Sequence, residues 1–152
     1  MTSIDQRFSK GKVWSDDNKR IFHDNTGYII LQADTCITLT ENKEGQWKDF
    51  MGMYKPEILK SKLFSVYLKH RKDAPASYVY LTLPATTQQK VRDFDSRSVH
   101  IIRNDKKAQA AVINDLCYAS VYHPTNLLID NDNPIAISEP GTYIIHIKKK
   151  EI

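Results

Sequence analysis

Phe64-Ser65-Val66-Tyr67-Leu68-Lys69 decides the fold of this 152-residue chain, because Phe64, Val66 and Leu68 alternate with Ser65, Tyr67 and Lys69. A period of two puts the two sets on opposite faces of an extended strand. The same period recurs at Val79, Leu81 and Leu83 against Tyr78, Tyr80 and Thr82. It returns at Tyr143, Ile145 and Ile147 against Thr142, Ile144 and His146. β-branched and aromatic residues dominate these runs, as strands favour. Further strands are expected over 11–14, 20–23, 27–32, 35–40, 46–53, 98–103, 109–113, 116–122, 126–130 and 134–138.

Turn chemistry separates the strands at short intervals: Ser15-Asp16-Asp17-Asn18, Asp24-Asn25-Thr26-Gly27, Glu41-Asn42-Lys43-Glu44-Gly45, Asp130-Asn131-Asp132-Asn133-Pro134 and Glu139-Pro140-Gly141. Asn and Asp tolerate the left-handed backbone, and Gly supplies positive φ without strain. Many short strands at this spacing predict an all-β chain, an antiparallel β-sandwich rather than βαβ units. One stretch departs from the pattern. Thr86 to Phe94 reads as a single short helix, with Thr86 or Thr87 as cap and Val91 and Phe94 on one face. It separates a β-sandwich portion, residues 1–85, from a small C-terminal β-domain, residues 86–152.

The composition excludes several function classes. A 41% hydrophobic content with two Trp, eight Tyr and five Phe supports a packed core and argues against disorder. No apolar run approaches the ~20 residues of a membrane span, and a polar stretch from Thr2 to Lys12 reads as no signal peptide. The net charge is +4, much of it in Lys69, Arg71 and Lys72 around His70 and in Lys148, Lys149 and Lys150. Such a surface suits an anionic polymer, or it guards strand edges against mispairing. Arginines and aromatics do not interleave, so no nucleic-acid partner is expected. Cys36 and Cys117 stand far apart in apolar stretches and read as buried thiols.

No motif supplies a metal or cofactor site. His70, His100, His123 and His146 have no partners at zinc spacing, and Asp130-Asn131-Asp132 lacks the Gly and Glu of a calcium loop. No Gly-rich phosphate loop or GxSxG elbow is present. His23, Asp24, Asn25 and Tyr28 are residue types that serve β-elimination, in which a base takes the proton α to a carboxylate and an acid protonates the leaving oxygen. The bland reading is a tight turn with Asp24 and Asn25 at its corner, Gly27 at positive φ and His23 partly exposed. Among the aromatics, Trp47 and Tyr54 border loops and are the candidate sugar platform, although strand aromatics are more often core.

Four clusters, taken in order and spacing, carry a resemblance. They are Thr2-Ser3-Ile4-Asp5-Gln6-Arg7, Phe22-His23-Asp24-Asn25-Thr26-Gly27-Tyr28, Gly45-Gln46-Trp47-Lys48-Asp49-Phe50, and Ala76-Ser77-Tyr78-Val79-Tyr80-Leu81-Thr82-Leu83-Pro84. The chain resembles the last third of a polysaccharide lyase of family 8, the chondroitin- and hyaluronan-degrading lyases. The first portion looks like the end of their large β-sandwich. Ile102-Arg103-Asn104-Asp105, Ala108-Gln109-Ala110-Ala111 and Pro140-Gly141-Thr142-Tyr143 look like their small C-terminal β-domain.

In that family an Asn-His-Tyr set with an Arg works in a helical domain upstream. No motif here matches it, so no catalytic residue is carried over. The resemblance implies a non-catalytic region that supports the catalytic helical domain and contacts an anionic polysaccharide, in a secreted or periplasmic parent. Trp47, Tyr54, Lys69, Arg71 and Lys72 are the candidate carbohydrate-binding residues. The family often ends the strand before Arg71 with His followed by Gly, and here Arg71 follows His70 instead. The alternatives are a free-standing carbohydrate-binding module, a small lyase using His23, Asn25 and Tyr28, and a protein-interaction β-sandwich.

Overall fold

The computed structural model describes residues 2–9, 11–17, 19–70, 73, 76–129 and 134–147. Arg71, Lys72, the Asp130 to Asn133 run and Lys148 to Lys150 lie outside the described residues. The chain folds as two compact units, Met1–Phe94 and Asp95–Ile152.

Among the described residues the first unit holds seven strands: β1 (Thr2–Phe8), β2 (Trp14–Asp16), β3 (Arg20–His23), β4 (Thr26–Gln32), β5 (Thr35–Gly45), β6 (Leu59–Lys69) and β7 (Val79–Leu83). Two antiparallel sheets form, ordered β1-β6-β5 and β2-β3-β4-β7. They close over Ile21, Tyr28, Ile30, Cys36, Phe64, Val66 and Leu68. The alternation in β6 is real: Phe64, Val66 and Leu68 are fully buried. Ser65 is buried as well, as befits the middle strand of a three-stranded sheet.

Neither face of the second sheet is left to solvent alone. Tyr28, Ile30 and Tyr80 pack into the inter-sheet core. The opposite face receives α1 (Gln88–Arg92), whose Val91 is fully buried. Thr87 caps the helix, its hydroxyl accepting from the Lys90 N–H at 3.3 Å. Beneath the helix lies Gly27, where an added Cβ would meet Val91 Cγ2 at 2.3 Å. Glycine is required there by the closeness of the helix. The positive φ expected of Gly27 belongs instead to Asp24 (44°) and Asn25 (59°), the two central residues of the β3–β4 hairpin. Both corners positive is the turn that matches the strands' twist.

Two further expectations are corrected. Residues 46–53 form no strand: Trp47–Asp49 is a 3-10 turn, and the chain leaves the ladder at Gly45. The apolar content of 46–53 mimics a strand, but no facing strand is there to pair with it. Thr2–Phe8, for which no strand was expected, is β1 and pairs with β6.

The second unit contains β8 (Val99–Asn104), β9 (Ala108–Ile113), β10 (Leu116–Val121), β11 (Thr125–Leu128), β12 (Pro134–Ile137) and β13 (Gly141–His146). A four-stranded antiparallel sheet runs β13-β10-β9-β8, with β11-β12 a separate hairpin. Its core is Ala108, Ala110, Val112, Cys117, Ala119, Val121, Leu127 and Ile137. Arg103 ties β8 to β11 through the Thr125 hydroxyl and, at 3.2 Å, the Asn126 carbonyl. Both cysteines are buried free thiols, and burial pushes the Cys36 thiol up to about 11 and Cys117 upward. Among the described residues, no helix is long and apolar enough to cross a membrane.

Candidate functional site

Two polar or aromatic constellations sit on the first unit, one buried and one exposed. The buried one begins with a bulge. The β1–β6 register slips between Ser3 and Asp5, so Asp5 and Arg7 stand opposite Val66 and Phe64, the core-facing residues of β6. There the Arg7 guanidinium donates to Asp5 at 2.7 Å through Nε, and to the Thr26 hydroxyl at 3.1 Å. It also donates to the Tyr28 hydroxyl, which in turn donates to the Asp5 carboxylate. Burial disfavours the charged Asp5, but hydrogen bonds from Arg7 and Tyr28 outweigh it and hold the carboxyl below its usual range. Burial and the neighbouring Asp5 raise Tyr28 well above the ordinary phenol range.

His23 completes this cluster and corrects the expectation of partial exposure. It shares the face of β3 that carries Ile21 into the core, is fully buried, and packs its ring 4.2 Å from that of Phe64. Neither ring nitrogen has a hydrogen-bond partner, although Nε2 lies 3.3 Å from Asp24 Oδ2. Burial lowers its pKa and keeps the ring neutral. A base for β-elimination must reach the substrate's α-proton. Fully buried His23 and Tyr28, whose proton is held by Asp5, have no such access. The set is structural, joining the two sheets with charge-assisted hydrogen bonds. Sequence reading missed Asp5 and Arg7. Their i, i+2 spacing was the available signal, but it points inward only because of the bulge.

The exposed constellation follows from the β5–β6 ladder, which runs unbroken from Thr35↔Lys69 to Gly45↔Leu59. Its Lys69 end sits over the core. Its far half is exposed, with Glu41–Lys43 at 3.0 Å and Glu44–Lys60 at 2.7 Å. At the tip, Trp47 is 60% exposed and Tyr54 49%, their rings 6.3 Å apart, with Phe50 82% exposed and edge-on to Trp47. Met51, Met53 and Ile58 are exposed beside them.

The candidate carbohydrate residues are therefore not one site. Trp47 and Tyr54 occupy the tip and Lys69 the opposite end of the ladder. Ten rungs at ~3.3 Å per residue set the two ends roughly 33 Å apart. Where β6 ends, the structure assembles other rings. Tyr80 packs on the core, Tyr78 stacks on Tyr80 at 6.3 Å and 22°, and His70 lies 5.4 Å from Tyr78. Among the described residues, no three His, Cys, Asp or Glu side chains gather as metal ligands.

Known proteins are similar to this chain in sequence and fold. The family model described as polysaccharide lyase family 8, super-sandwich domain, matches residues 1–95. A hyaluronate lyase of Thermasporomyces composti is 25% identical over 126 residues, covering 80% of this chain and 16% of that protein. A chondroitinase AC lyase studied in enzyme–oligosaccharide complexes superposes with a TM-score of 0.80 at 16% identity, over 95% of this chain and 24% of its own. A mutant chondroitin AC lyase of Streptomyces coelicolor A3 gives 0.79 at 20% identity, over 97% of this chain and 20% of its own. The chain thus spans about a quarter or less of each of these proteins. With a matching family model over most of its length and the same antiparallel β architecture, the chain belongs to polysaccharide lyase family 8.

Proposed function

We propose that this chain is a non-catalytic β-region of a glycosaminoglycan lyase, which supports the catalytic helical domain and contacts the anionic polysaccharide. The observation that carries the supporting role is the hairpin tip. Trp47, Phe50, Met51, Met53 and Tyr54 cluster there in exposed positions, and the two lysines of segment 46–58, Lys48 and Lys55, are balanced by Asp49 and Glu57. An apolar patch without net charge suits protein docking better than a polyanion. The relatives' far greater length supplies the kind of partner the tip fits, the remainder of a lyase polypeptide. A secreted or periplasmic setting belongs to the same reading.

The test is complementation. A family lyase lacking the region equivalent to this chain is assayed for unsaturated uronate product from chondroitin and hyaluronan, with and without the purified chain. The chain alone yields no product, and its addition restores the truncated lyase, less so with Trp47→Ala and Phe50→Ala together. Product from the chain alone, or full activity of the truncated lyase without it, overturns the reading.

A further inference from the structure

We infer that the open face of the β13-β10-β9-β8 sheet is a docking surface for another part of the same lyase polypeptide, outside residues 1–152. This rests on the proposed supporting role and gives it a second surface, carried by the second unit and separate from the hairpin tip.

The ladders line up the side chains of that face. On the other face Ala110, Val112, Cys117 and Ala119 lie in the core, shared with Leu127 and Ile137 of the β11-β12 hairpin. Successive residues of a strand point to opposite faces, so those in between project away from this core. There Ile101 stands opposite Ala111, Ala111 opposite Tyr118, and Tyr118 opposite Ile144, an apolar row across all four strands. Toward the β9–β10 turn the next row is Val99, Ile113, Leu116 and His146. On its other side the row is Asn104, Gln109, Ser120 and Thr142. The central row is open: Ile101 is 38% exposed, Tyr118 43% and Ile144 68%.

The chemistry of the three rows selects the partner. Charged residues make up 26% of the chain, yet no Asp, Glu, Lys or Arg stands in any of these rows. A sheet face left to water alternates polar residues with the core set, whereas an exposed apolar row marks an interaction surface. With no Lys or Arg in the rows, the face offers nothing to hold the carboxylates or sulfates of an anionic glycan. Four strands ~4.8 Å apart and three rows ~6.6 Å apart make a face of about 400 Å². That is about half of the ~800 Å² that each partner buries in a stable complex of separate chains. A second copy docked on this face alone would be held weakly. A segment of the same polypeptide is already tethered, so a smaller area suffices. Relatives of which this chain covers only 16% to 24% have the further polypeptide to supply it.

The experiment is hydroxyl-radical footprinting of the purified chain, alone and mixed with a family lyase that lacks the equivalent region. In the mixture the hairpin tip and this face engage the truncated lyase together, and each is read by its own side chains. Tyr118 and Ile144 should label in the free chain and become protected in the mixture. Leu128, 61% exposed on the β11-β12 hairpin, should label alike in both. Ile144→Glu and Ile101→Glu should each weaken binding to the truncated lyase about tenfold or more, because the new charge would be buried without a partner. Leu128→Glu should leave that affinity unchanged. Urea midpoints of the free variants equal to wild type exclude misfolding as the cause. Protection confined to Trp47 to Tyr54 overturns this surface and leaves the supporting role standing. Protection of Tyr118 and Ile144 in the free chain as its concentration rises makes the occupant a second copy and overturns the inference. The same protection by a hyaluronan hexasaccharide makes the face a glycan site and overturns it too. No binding to the truncated lyase overturns both this surface and the supporting role.

Discussion

Replacing Gly27 with alanine probes the packing of α1 on the sheet, and a second substitution separates sterics from backbone effects. The new Cβ would sit 2.3 Å from Val91 Cγ2, where ordinary contact begins at 3.4 Å, so α1 or β4 must yield by about 1.1 Å. Overpacking of this kind costs about 1–3 kcal/mol, from which the loss of glycine's unfolded-state freedom returns about 0.5–1. Gly27→Ala should therefore destabilise the first unit by about 1–2 kcal/mol. Val91→Ala, at a fully buried position, should cost about 2 kcal/mol in lost burial and cavity. In the double variant the new methyl enters space that Val91 has vacated. The pair should then cost no more than Val91→Ala alone, a coupling of about 1–2 kcal/mol. Urea unfolding followed by Trp14 fluorescence in a Trp47→Phe background provides the assay. Trp14 reports on the helix because the Arg92 guanidinium lies 5.2 Å from its ring centre. Additive costs, within about 0.5 kcal/mol, would refute the contact between Gly27 and Val91 as the reason for glycine.

Two other substitutions test strain and charge. Ala85 follows Pro84 with φ of 50°, a left-handed conformation costing an alanine about 1–2 kcal/mol, so Ala85→Gly should stabilise by about 0.5–1 kcal/mol after glycine's entropy is deducted; an unchanged or lowered urea midpoint would contradict this. Burial lowers the folded-state pKa of His23 below the ordinary histidine value of 6.5, so the unfolded state binds the proton more readily. Its stabilising contribution is complete above that value and falls away as pH drops toward the folded-state pKa. Wild type should lose stability relative to His23→Phe between neutral pH and pH 5, at up to about 1.4 kcal/mol per pH unit, and parallel curves in chemical denaturation would disprove it.

Much of the architecture was legible because burial writes a period of two into strands with one dominant core face. Phe64, Val66 and Leu68 announced β6, and Thr87 and Val91 announced the helix and its buried face. The failures have local causes. The tip residues Trp47 to Met53 imitate a strand in composition but lack a partner, so they curl into a 3-10 turn. Gly27 looked like a turn glycine because it adjoins an Asx corner, yet its constraint comes from Val91, distant in sequence. The inward turn of Asp5 and Arg7 depends on a single bulge that shifts every later residue of β1, and nothing in composition marks it. For the candidate site, Lys69 was legible as part of a charge cluster. The contact between His70 and Tyr78 was not, because the two rings meet only when the end of β6 and the start of β7 are brought together.

The two buried thiols have a practical bearing. With its thiol pushed up to about 11, Cys36 holds far less thiolate near neutral pH than an exposed cysteine does. Maleimides and disulfide exchange act through thiolates, so neither cysteine of the folded chain should react readily. A cysteine introduced on the surface, for instance by Ser77→Cys, would then react well ahead of both natural ones. That gives a single attachment point for a fluorophore beside Tyr78, with the wild-type chain as its own unlabelled control.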